Sequence, residues 1–133
     1  MTKKLKIFAV VPAYNEEKGV SKVIKDLKKY KYNIVIVDDA SADNTVKVVN
    51  KFKNLILVKQ KTNQGQGAAL RIGIKRALKE GADIIITFDA DGQHQAKEIK
   101  DLVAPIEKGV ADISLGSRFL TKKTKMPLSR EIL

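Results

Sequence analysis

The chain has 133 residues, of which 44% are hydrophobic and 31% charged, with no cysteine and a net charge of +11. That is one domain with room for a real core; it excludes disulfides, a thiolate zinc site and thiol chemistry. No run approaches the ~18 apolar residues that a membrane span needs.

Charge is unevenly spread. Residues 84–116 hold three basic and six acidic groups and form the only net-acidic stretch of a basic chain. An anionic ligand held through a cation suits that layout. Nucleic acid is set aside, because aromatic residues make up only 5% and do not interleave with the basic ones. The Lys-rich helices read mainly as solvated faces.

Leu5–Val11 reads as a first strand rather than a signal peptide, since the apolar run is short and Glu16 and Glu17 soon follow. Pro12–Glu17 reads as a loop. A helix over 17–29 carries Val20, Val23, Ile24 and Leu27 on one face, with Asn15 expected as its N-cap. Asn33–Val37 is a second strand ending in the polar run Asp38–Thr45, with Asp38 shaping the turn and Asp43 and Asn44 capping a short helix over 46–52. Leu55–Val58 is a third strand. Gly65 and Gly67 open a helix with an expected stripe of Leu70, Ile74, Ala77 and Leu78, and Gly81 stops it.

Asp83–Phe88 is an apolar, β-branched strand of the kind buried on both faces of a parallel sheet. It runs into Asp89-Ala90-Asp91-Gly92, two carboxylates one residue apart, a spacing that lets both approach one hard cation or metal–phosphate group. A helix with Ile99, Leu102, Val103 and Ile106 on one face follows, cut short by Pro105. Ala111–Leu115 is a fifth strand, ending in Gly116-Ser117-Arg118.

Strands alternating with amphipathic helices imply a single α/β domain, 1–133, with a doubly wound, mostly parallel sheet and helices on both faces. Pro12–Glu16, Asp38–Asp39, Asp89–Asp91 and Ser117–Arg118 all follow strands and should meet at one sheet edge, where open α/β sheets bind ligands. The chain has no Gly-x-Gly-x-x-Gly after its first strand and no Gly-Lys-Ser/Thr phosphate loop. Asp89-Ala90-Asp91-Gly92 superficially matches the opening motif of haloacid-dehalogenase-type phosphatases, yet four strands precede it here.

Five ordered motifs go further: Val10–Glu17, Val37–Thr45, Asn63–Ala69, Asp89–His94 and Gly116–Phe119. In order and spacing the chain resembles family 2 glycosyltransferases of the GT-A (nucleotide-diphospho-sugar transferase) fold, and in particular the dolichyl- or polyprenyl-phosphate sugar transferases. The resemblance implies a site. Pro12, Tyr14, Glu16, Val37 and Asp39 match residues around the nucleotide base and ribose. Asp89, Ala90 and Asp91 match the Asp-x-Asp motif, with Asp89, Asp91 and Gln93 as ligands of Mg²⁺ or Mn²⁺. Arg118 matches a residue that approaches the diphosphate, so Asp91 and Arg118 are the expected catalytic residues. Ala40 stands where the family often has glycine.

The resemblance also implies a UDP- or GDP-sugar donor and a polyprenyl-phosphate acceptor. The lack of cysteine fits a cytoplasmic location, and Lys122, Lys123, Lys125 and Arg130 offer a basic surface for peripheral contact with the anionic inner face of a membrane. Apolar surface at a truncated edge makes a homo-oligomer a further expectation. Family members continue past Arg118 into an acceptor-binding half, so the donor half is what this chain is expected to supply. The alternative is a non-catalytic nucleotide- or partner-binding module.

Overall fold

The computed structural model describes residues 4–92, 95–101, 103 and 113–115. In chain order the elements are β1 (Ile7–Ala13), α1 (Val20–Lys29), β2 (Asn33–Asp38), α2 (Thr45–Val49), β3 (Ile56–Lys59), α3 (Gln66–Lys79), β4 (Ile84–Thr87), a 3₁₀ turn (Ala96–Glu98) and β5 (Ile113–Leu115). Residues 99–101 and 103 are helical. The sheet has the order β3-β2-β1-β4-β5, and every pairing is parallel. This is the expected doubly wound α/β architecture, and the order reverses between β1 and β4.

Strand side chains alternate between two cores. Ala9, Val11, Ala13, Ile34, Ile36, Ile84 and Ile86 face α1, α2 and the 96–103 segment. Phe8, Val10, Val35, Val37 and Ile85 face α3. The predicted stripe of α1 is buried as expected: Val20, Val23, Ile24 and Leu27. Ile99 and Val103 are buried too, whereas Leu102, Pro105 and Ile106 lie outside the described residues.

Two elements differ from the sequence reading. β1 runs two residues further than expected, so Pro12 and Ala13 pair with Val37 and Asp38 rather than starting a loop. Strand residues point their N–H alternately to either neighbour; the Val10 carbonyl accepts from Phe88 on the β4 side and the Ala13 carbonyl from Asp39 on the β2 side. The donor that Pro12 lacks would therefore face β4 beyond its last pairing, Val10 with Thr87, and costs no ladder bond.

In α3 the buried face is Ala69, Gly73 and Ala77, and Leu78 is 59% exposed. Leu70 and Ile74 only flank the core. The helix lies too close to the sheet for large side chains: a Cβ on Gly73 would stand 2.3 Å from Val10 Cγ1 and 2.9 Å from Val37 Cγ2. At its end, Ala82 N–H donates to the Ala77 carbonyl and Gly81 N–H, with φ +88°, to that of Leu78. That paired pattern is a Schellman stop, as the glycine predicted.

Candidate functional site

The strand order reverses between β1 and β4, and the crevice beyond the carboxyl ends of such strands is where open α/β sheets take ligands. The residues leaving β1 are Tyr14, Asn15, Glu16 and Glu17; those leaving β4 are Phe88 to Gly92. The sequence thus places the first motif and the Asp-x-Asp pair at the two lips of one crevice.

The β1 lip is fastened to the loop between β2 and α2. Asn15, at φ 52°, does not cap α1, whose N-cap position is Gly19 and which has no side-chain cap. Its Oδ1 instead accepts from the N–H groups of Ala42 (2.8 Å) and Asp43 (3.3 Å), while its own N–H donates to Ser41 Oγ (2.9 Å). Glu16 N–H donates to Thr45 Oγ1 (2.8 Å) and Glu17 N–H to Asp43 Oδ2 (3.2 Å). Thr45, fully buried, passes its hydroxyl proton and its own N–H to Asp43 Oδ1. Asp43 thus caps α2 as expected, whereas Asn44 makes no side-chain cap. Burial pushes the Asp43 carboxyl up, but the hydrogen bonds from Thr45 and Glu17 outweigh it and hold the group below its ordinary range.

The β4 lip is fastened to α1. A Cβ on Gly19 would stand 2.8 Å from the carbonyl oxygens of Ala90 and Asp91, so only glycine lets the Asp-x-Asp backbone sit against the helix start. Gly92 takes φ +80° at the next turn, near Lys22. Ala90 is buried, Asp89 is half-buried and Asp91 is exposed. Both carboxylates reach Glu16 electrostatically. Its carboxyl is pushed above the ordinary range, first by burial and then by the negative charges of Asp91, Asp43 and Asp89. Three loops therefore concentrate acidic charge at one place.

At the end of β2 the two aspartates divide their work. Asp39 accepts from Gln64 N–H at Oδ1 and Gly65 N–H at Oδ2, both 2.8 Å, and so holds the entry to α3. Gly65 needs its glycine for φ +96°, whereas Gly67 is an ordinary helical residue with open space around it. Asp38 Oδ2 accepts from Ser41 N–H (3.2 Å) and shapes the turn, leaving Oδ1 buried without a hydrogen-bond partner.

The sequence-derived site residues fall into three groups. Tyr14 (48% exposed), Glu16, Asp89 and Asp91 stand at the crevice, and Pro12 is half-buried at its floor. Val37, Ala90 and Asp39 are buried, Val37 against α3 and Asp39 with its carboxylate occupied by backbone donors. Gln93 and Arg118 lie outside the described residues. The sequence reading missed Gly19 and Thr45. Gly19 carried one signal, a glycine at a helix start; Thr45 carried none for the β1 lip, because the Glu16 N–H it accepts from is 29 residues away in the chain.

Asp89 and Asp91 offer hard oxygen donors next to a third carboxylate whose ionisation they disfavour, a donor set that suits Mg²⁺ or Mn²⁺. Among the described residues no group of three or more His, Cys, Asp or Glu forms a closed ligand set, so the pair needs oxygen from elsewhere.

Residues 8–131 match the family model "Glycosyl transferase family 2". The UDP-N-acetylglucosamine–dolichyl-phosphate N-acetylglucosaminyltransferase of Methanococcus voltae is 38% identical, over 95% of this chain and 58% of its own length. The dolichol-phosphate mannosyltransferase of Pyrococcus furiosus is 28% identical, over 97% of this chain and 38% of its own. Among solved structures, S. aureus TarS 1-349 in complex with UDP superimposes with a TM-score of 0.63 at 27% identity, covering 78% of this chain and 32% of that one. The chain spans about half the length, 53% and 58%, of the first relatives it matches. With its doubly wound GT-A sheet and a family match along nearly its whole length, the chain belongs to glycosyl transferase family 2.

Proposed function

We propose that this chain forms the donor site of a polyprenyl-phosphate sugar transferase and binds a UDP- or GDP-sugar together with Mg²⁺ or Mn²⁺. The observation that carries the reading is the meeting of Asp89 and Asp91 with the Tyr14–Glu16 loop at the strand-order switch point, where burial first and then these acids push the Glu16 carboxyl up. Two of the relatives are named for transfer to dolichyl or dolichol phosphate, which supports a lipid-phosphate acceptor.

In this reading exposed Tyr14 stacks on the base, and Glu16 accepts from a base or ribose hydroxyl. The unpartnered Oδ1 of Asp38 offers a further acceptor at the end of β2, beside Asp39. Asp89 and Asp91 hold the cation, with Gln93 as a third oxygen ligand, and Arg118 adds charge-assisted hydrogen bonds to the diphosphate. The bound cation supplies charge neutralisation for the diphosphate leaving group. An acceptor phosphate oxygen forms the new bond to the anomeric carbon, and the bond to the nucleoside diphosphate breaks with inversion, the electron pair leaving with the diphosphate.

Calorimetric titration of UDP and GDP, with and without Mn²⁺, tests the site. Metal-dependent binding of one nucleotide, lost in Asp91→Ala, is expected. Binding unaffected by Mn²⁺ and by that substitution would remove the Asp-x-Asp role. Nucleotide binding with no sugar transfer to a polyprenyl phosphate would favour a binding module instead.

A further inference from the structure

A second charged feature lies outside the crevice. Along the outer flank of α1, Lys18, Lys22, Lys25 and Lys29 recur at helical spacing and line one wall of an open groove of about 650 Å³. Lys97 lines it from the segment after β4, and the Lys100 ammonium lies 6.0 Å from the ring centre of Tyr30, another lining residue. All six lysines are exposed. The one acid in the groove lining, Asp26, is committed: its Oδ2 accepts from Ala96 N–H at 2.6 Å and ties the two walls together.

Asp26 is the one acid among five lysines in this lining, so the flank keeps a strong excess of positive charge. The lysines run from the turn before α1 to its last residue, and the helix itself is ~15 Å long. That length suits a plane of phosphates better than one compact anion. The cations are lysines throughout, point charges on flexible stems rather than the planar forks that fix a single phosphate. The upper end of the stripe borders the crevice, since the Lys22 side chain packs beside Gly92 of the Asp-x-Asp turn. Among the described residues no helix is long and apolar enough to cross a membrane, so attachment through this part of the molecule would be peripheral.

We infer that the α1 flank, with Lys97 and Lys100, is a docking surface for a bilayer bearing anionic phospholipid headgroups. It sets the lip of the donor crevice against the membrane surface. The inference deepens the proposed function, resting on it for the lipid acceptor.

The test is co-sedimentation of the protein with vesicles of phosphatidylcholine alone and of phosphatidylcholine with phosphatidylglycerol. It needs neither nucleotide nor metal, so its failure is distinct from a failure of the donor-site reading. The wild type should bind only the anionic vesicles and be released by salt. Each lysine removed should lower partitioning about fivefold, so that Lys22→Gln with Lys25→Gln and Lys29→Gln loses on the order of 100-fold. The matched control, Arg71→Gln with Lys75→Gln and Lys79→Gln on exposed α3 positions across the sheet, removes the same charge and should lose far less. Lys97→Gln with Lys100→Gln gives an independent reading from the other wall, should the first variant melt early. Equal losses from α1 and α3 would reduce the effect to net charge and overturn the proposal. So would absence of vesicle binding by the wild type. Displacement by inorganic phosphate at matched ionic strength would also overturn it, showing a discrete phosphate pocket instead.

Discussion

Glu16 is partly buried and pressed by three other acidic side chains, so its ionisation works against folding. Its folded pKa lies above its unfolded one, so the folded state holds the proton more tightly. Its stabilising contribution is present below the unfolded pKa and is lost as pH rises through the folded one. Glu16→Gln should therefore raise stability at neutral pH in the metal-free protein and bring no gain in acid, as urea titrations at the two pH values would show. The gain should shrink with salt, because Glu16 is partly exposed. Ala40 is the other informative residue. It holds φ 62° at the position where the family often has glycine. Ala40→Gly should stabilise by about 0.5–1 kcal/mol in the same assay, because relief of the left-handed strain exceeds the extra chain entropy lost on folding.

At the scale of elements, α3 shows how packing overrides pattern. Leu70, Ile74 and Leu78 carried the helical period, but the face that meets the sheet is the small one, Ala69, Gly73 and Ala77. Val10 and Val37 leave no room for more, and both are stiff and fully buried. Gly73→Ala should destabilise by about 1–3 kcal/mol through overpacking. Combining it with Val10→Ala should cost less than the sum of the two single changes, because the second change vacates the space the first one needs. Additive losses would mean that α3 moves away from the sheet instead.

The strands, α1 and the Gly81 stop were legible because apolar runs, periodicity and turn glycines are local signals. The long-range stitching was not. Asn15 has the chemistry of an N-cap, and its neighbours made it look like one; its actual partners, Ser41, Ala42 and Asp43, lie 26 to 28 residues away. What constrains Gly19 was hidden for the same reason, since it is the Ala90–Asp91 backbone.

At the scale of the whole molecule, the all-parallel order fixes where chemistry can happen. β1 and β4 are neighbours on either side of the point where the strand order reverses, and the two most informative motifs occupy the loops that follow them. The motifs were legible singly, and their convergence followed from the fold class they implied. The Val10–Glu17 motif needed one revision, since Pro12 and Ala13 complete β1 and the site loop begins only at Tyr14. The acidic crevice and the lysine flank then give the domain two oppositely charged regions that meet at Gly92.

The most direct measurement of the central claim is paramagnetic broadening in an amide nitrogen–proton spectrum, with Mn²⁺ added in the presence of the nucleotide that binds. Selective loss of the signals of residues 14–17 and 89–92, with those of residues 74–79 at the far end of α3 retained, is expected. Broadening that spares 14–17, or that spreads evenly over the lysine-rich surface, would contradict a cation site shared by the β1 and β4 lips.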